Sequence, residues 1–126
     1  MKKGELIILN GIFSNKMKLP ALSGDELYTL LSAKADISAL AKGIEDKAEN
    51  IRLSTKPDGV DEYTADQRDP RVQQWMQQYL PMQTRLYNEE LEAELPAKCI
   101  QRDAFAQMCA GLTPGEAEMV LKYLVK

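Results

Sequence analysis

Residues 23–54, SGDELYTLLSAKADISALAKGIEDKAENIRLS, decide the fold. Ser23 is followed three residues later by Glu26, the spacing of a capping box: the serine hydroxyl accepts from the Glu26 N–H and the glutamate reaches back to the serine N–H. Leu22 and Leu27 flank this cap as a hydrophobic staple. Beyond it Leu30, Ile37, Ile44 and Ile51 recur in a strict heptad series, and Leu27, Ala41 and Ala48 form a companion column that only Lys34 interrupts. The alternation of three- and four-residue steps predicts one helix of about seven turns. Large aliphatics beside alanines suit close antiparallel packing against a neighbouring helix. Asp36, Lys42, Glu45, Asp46, Lys47 and Glu49 mark the outer face. A column this long exceeds what one partner helix covers, which points to its continuation into a homodimer.

Upstream, Leu6, Leu9, Ile12 and Phe13 fall at helical spacing within Gly4 to about Lys16, with Ile7 and Ile8 widening the stripe, and Pro20 closes the connection. Downstream, the helical pattern stops and residues 54–69 read as a polar loop in which Pro57-Asp58-Gly59 is a turn signal. A connection of that length in a compact domain is either mobile or functional. Its acidic residues do not match a calcium loop, because the glycine and the terminal glutamate that the spacing of oxygen ligands demands are missing.

Asp69-Pro70 restarts a helix with an aspartate N-cap and a proline at the first helical position. Val72, Trp75, Met76, Tyr79, Met82 and Leu86 follow as its stripe, and glutamines populate the other face. Pro81 falls inside this stripe and predicts a kink or a break near Leu80. Trp75, Met76 and Tyr79 form the one dense aromatic and methionine cluster. They either face the core or make a partner-binding surface, and they are the candidate interface residues. Pro96 ends any helix beyond Leu91, and the residues around Cys99 and Ile100 read as extended. Asp103 to Ala110 predicts a short helix stopped by Gly111. Thr113-Pro114-Gly115-Glu116 is a second capping box, opening a terminal helix with Ala117, Val120, Leu121 and Leu124 inward.

Composition sets the limits on chemistry. At 126 residues, the chain has the size of one domain. Hydrophobic residues at 44% and charged residues at 28% place it among ordinary globular proteins, away from disordered chains. There is no histidine, which excludes Ser/His/Asp and Cys/His catalysis and removes the commonest metal ligand. Cys99 and Cys109 cannot complete a four-thiolate zinc shell, and with no signal peptide apparent they read as small buried hydrophobes of a cytoplasmic protein. No stretch approaches the roughly 20 apolar residues that span a bilayer.

The net charge of −3 argues against an extended nucleic-acid footprint. Lys2, Lys3, Lys16 and Lys18 nevertheless make the N-terminal segment locally basic. They are either a solvated helix face or an arm through which a small regulator contacts nucleic acid. The acid runs Glu45/Asp46/Glu49 and Glu89/Glu90/Glu92/Glu94 lie on polar faces, where carboxylates stay solvated and do not act as an acid–base pair. The scattered glycines form no phosphate-cradling loop. The final helix is too acidic at its start for a recognition helix.

Glu5-Leu6-Ile7-Ile8-Leu9-Asn10, Leu19-Pro20 leading into a long helix with Tyr28, the polar turn, Glu94-Leu95-Pro96 and Gly111-Leu112-Thr113 opening a last helix come in an order that resembles small helical proteins encoded by phages and prophages among virion-assembly genes. The resemblance spans most of the chain in element order, carries over no catalytic residue, and implies an accessory or structural role. The expectation is therefore an all-α single domain over residues 1–126: a small helical bundle on a long antiparallel pair, closed by short C-terminal helices. Its expected role is protein–protein association or assembly, without enzymatic activity, cofactor, metal or membrane.

Overall fold

The computed structural model describes residues 1–63 and 65–126. The chain is all-α: α1 (Lys3–Asn15), α2 (Gly24–Ser54), α3 (Pro70–Asn88), α4 (Arg102–Met108) and α5 (Pro114–Leu124), with no strand among the described residues. Thr64, within the predicted polar loop, lies outside the described residues.

Caps open the helices as the residue types dictate, with one difference. Ser23 Oγ accepts from the Glu26 N–H at 3.3 Å, but Glu26 makes no return bond, so only half of the first box forms. In the second box both bonds are made: Thr113 Oγ1 accepts from the Glu116 N–H at 3.3 Å and Glu116 Oε1 from the Thr113 N–H at 3.0 Å. Glu116 is held in place by Lys16 as well, whereas Glu26 is exposed with no tertiary partner fixing it.

α1 packs on both α2 and α3 and touches α5; α2 packs on α3. Leu6, Leu9, Ile12 and Phe13 of α1 are buried, as their spacing requires. Ile8, expected to widen the stripe, is 56% exposed. The reason is rotational: helical steps of about 100° carry it off the face that meets α2 and α3. On α2 the heptad column Leu30, Ile37 and Ile44 is buried together with Ala33, Ala41 and Ala48, while Ile51 is half-buried. Asn10 Oδ1 locks α1 onto α2 by accepting from Ser38 Oγ at 2.9 Å. Since this face is covered within one chain from Leu30 to Ala48, the column no longer argues for a homodimer.

Pro81 does not break α3, which runs continuously through it. Pro81 and Gln77 are both exposed, so the Gln77 carbonyl that loses its intrahelical donor faces water. The C-terminal segment is fastened by backbone bonds: Cys99 and Ile100 N–H groups donate to the Leu124 carbonyl at 2.9 Å each, and Lys126 N–H to the Ile100 carbonyl at 2.9 Å. At the other end, the Lys3 N–H donates to the Glu89 carbonyl and the Leu91 N–H to the Met1 carbonyl, both at 2.9 Å. No helix among the described residues is long and apolar enough to cross a membrane.

Candidate interaction surface

Two places gather the aromatic and apolar side chains that chemistry or recognition would use. The first is the start of α3. Trp75 is only 2% exposed and belongs to a small cluster of its own with Val60 and Val72, separate from the main core. Its indole N–H donates to the Arg52 carbonyl at 2.7 Å, in the last turn of α2, where carbonyls have no intrahelical donor. The Arg52 guanidinium stands 5.2 Å from the Trp75 ring centroid, and the Tyr79 ring 5.2 Å away at a 59° tilt. Glu49 orients Arg52 through a two-point contact, Nε to Oε2 at 3.0 Å and Nη2 to Oε1. That hydrogen-bonded pairing holds the Glu49 carboxyl below its usual range and raises Arg52 above its own.

Val60 reaches Trp75 because the loop folds back at Pro57-Asp58-Gly59. The Val60 N–H donates to the Pro57 carbonyl at 3.4 Å and Lys56 Nζ to the Val60 carbonyl at 2.6 Å. Gly59 has φ +81°, a backbone conformation that favours glycine. Of the three candidate interface residues, Trp75 is thus interior, while Met76 and Tyr79 are half-buried. Met76, Leu80 and Pro81 border a shallow apolar depression on the outer side of α3.

The second place was not singled out by sequence. The first turns of α2 are open to solvent: every residue from Ser23 to Thr29 is exposed, although Leu22 just before them packs against the main core. Tyr28 is 75% exposed and Leu31 44%, with Leu27 alongside at the i,i+4 spacing that makes helical neighbours. Leu19, 60% exposed, approaches from the connection between α1 and α2. Leu19 and Leu31 wall a groove of about 210 Å³ whose floor includes Phe13, Leu30 and Met108, with Lys18 and Lys34 at its rim. The wall is fixed, because the Lys18 N–H donates to the Met108 carbonyl at 3.1 Å and Lys16 Nζ meets Glu116. The signal in the sequence was Lys34, the one break in the companion column, together with Tyr28 and Leu31 lying off both columns.

The charged groups are distributed differently from an open basic arm. Lys3 is buried and bonded to Glu89 Oε2, and Lys16 to Glu116 Oε2, leaving Lys2 and Lys18 exposed without an ion-pair partner among the described residues. Glu45, Asp46, Glu49 and the acids of 89–94 are exposed. The carboxyls with displaced titration all move downward: Glu5 through the Lys2 N–H, Glu89 through Lys3, Glu116 through Lys16, Asp66 through Arg68 and Asp69 through Arg71, as well as Glu49. Each is stabilised as an anion by a donated hydrogen bond. Cys99 and Cys109 are buried as free thiols, and burial pushes the pKa of both up. Among the described residues no three acidic or thiol side chains converge as a metal site.

Comparison with known proteins finds no family model, no curated protein and no solved structure that matches the chain.

Proposed function

We propose that the protein is a non-enzymatic interaction or assembly protein of the cytoplasm, of the kind phages and prophages encode, and that it binds its partner through the exposed start of α2. The phage assignment rests on the element order quoted above. The interaction reading rests on surface area. The chain exposes 8100 Å², whereas a folded monomer of 14.2 kDa is expected to expose about 6,800 Å². The surplus, about 1,300 Å², exceeds the roughly 800 Å² that one side of a standard protein–protein interface buries.

The length of α2 supports its exposed start as part of that surface. The 31 residues of α2 span about 46 Å, longer than the roughly 36 Å diameter that fits a radius of gyration of about 14 Å for a chain of this size. The first turns of α2 and the residue after Leu30 expose Leu27, Tyr28 and Leu31, and apolar side chains grouped this way mark association surfaces. Full-length chain carrying an affinity tag, purified from cells that produce it naturally, is expected to bring down one protein in stoichiometric amount. A Tyr28→Glu/Leu31→Glu variant with unchanged circular dichroism is expected to lose it. A strictly monomeric chain that captures nothing above control would overturn the reading.

A further inference from the structure

The groove beside the exposed start of α2 has a chemistry that selects its occupant. At about 210 Å³ it is smaller than the ~300–1,000 Å³ of pockets that hold drug-sized ligands, so its size suits inserted side chains. Its floor is apolar, from Phe13, Leu30 and Met108, and the exposed Leu27 stands one helical turn before the wall residue Leu31 on α2. This is the layout of a helix-in-groove site, in which two or three apolar anchors spaced over successive turns enter a hydrophobic trough.

The rim adds the charge selection. Lys18 and Lys34 line the groove, neither makes a salt bridge among the described residues, and no carboxylate lines it. The nearest acids in sequence lie outside the groove: Asp36, two residues from Lys34, borders a different depression with Ala39 and Leu95, and Asp25 and Glu26 belong to the first turn of α2, where they complement the helix N-terminus. Lys16, the adjacent ammonium, is neutralised by Glu116. Two unpaired ammonium groups over an apolar floor complement a ligand with carboxylates flanking its apolar anchors, and they repel a basic one. A second copy meeting this rim through the same patch would set lysines against lysines.

We infer that this groove binds an amphipathic helical segment of a partner protein, with apolar anchors seated against Phe13 and Met108 and acidic side chains paired with Lys18 and Lys34. The inference rests on the interaction reading above and names the partner's chemistry. The test uses the full-length chain labelled with ¹⁵N and two capped helical peptides of about 15 residues, both with leucines at i, i+4 and i+7, one otherwise rich in glutamate and one in lysine. The acidic peptide is expected to bind about tenfold or more tightly than the basic one, its affinity falling with salt, with amide shifts at Phe13, Leu19, Leu31 and Met108. Lys18→Glu/Lys34→Glu, checked for intact fold, is expected to invert the order of the two peptides. Equal affinities, shifts centred elsewhere, or no binding at millimolar peptide would each overturn the inference. So would concentration-dependent dimerisation abolished by Leu31→Glu, which would make a second copy the occupant. Undiminished capture of the natural partner by the charge-reversed variant would also overturn the groove while leaving the interaction reading intact; absence of any captured partner would remove that reading, and the peptide experiment would still decide the groove.

Discussion

Trp75 shows how one residue's environment fixes its role. Its ring is interior and its N–H satisfies the Arg52 carbonyl, so it joins α3 to the end of α2 and closes the loop between them through Val60. Trp75→Ala is expected to lower stability by about 3–5 kcal/mol, the range for deleting a buried aromatic side chain. Trp75→Phe should lose less, about 1–3 kcal/mol, from the carbonyl left without its donor. Urea titrations followed by circular dichroism measure both, and the loop around Arg68 should become the first site of trypsin cleavage in Trp75→Ala. Gly43 provides the opposite case. It lies inside α2, exposed, with no atom within 4 Å of where a Cβ would stand. Gly43→Ala is therefore expected to raise stability by about 0.5–1 kcal/mol, read as an increase in thermal midpoint.

Among the elements, α3 carries the most local conflict. Pro81 sits in its interior yet faces solvent, so the chain keeps the helix and leaves the Gln77 carbonyl to water. The helix is held from outside: Gln83 Nε2 donates to the Ala48 carbonyl at 3.0 Å and Trp75 to that of Arg52, both on α2. Pro81→Ala restores the missing bond and relieves the crowding of the preceding turn. A gain of about 1–3 kcal/mol is expected in denaturant unfolding, with slower amide exchange at residue 81 and its neighbours. A loss of stability would show that the proline geometry is itself needed for the packing of α3 on α2.

For the molecule as a whole, the ion pairs between distant parts of the chain gather at the ends of α1, while Glu49–Arg52, Asp66–Arg68 and Asp69–Arg71 are local pairs elsewhere. Glu5 caps the first turn of α1 through the Lys2 N–H, Glu89 binds Lys3 from the end of α3, and Glu116 binds Lys16 from α5. All three carboxyls have folded-state pKa values below the ordinary glutamate value of 4.5. Their contribution is therefore fully present above that value and is lost as pH falls through the lowered folded values. Thermal midpoints are expected to stay level from neutral pH to about 5 and to fall steadily below about 4.5. In Glu5→Gln/Glu89→Gln/Glu116→Gln the neutral-pH midpoint should be lower and the acid slope shallower. A wild-type profile flat through pH 3 would contradict this account.

The sequence by itself determined the helices: their caps at Ser23, Asp69 and Thr113, the buried faces of α1 and α2, and the all-α class follow from local bonds and from a 3.6-residue period that any helix must obey. It determined equally what chemistry a chain without histidine cannot perform. Tertiary structure decided which apolar residues remain outside. The stripe of α3 made an interior Trp75 one of two readings, but that it forms a cluster with Val60, apart from the main core, depends on the fold of the connection after α2, which no periodicity within α3 encodes. Leu19, Leu31 and Lys34 come together only through the tertiary path of the α1–α2 connection, which sets Leu19 beside the start of α2. The groove that Leu19, Leu31 and Lys34 border exists because residues separated by most of the chain, Phe13 and Met108 among them, meet at its floor.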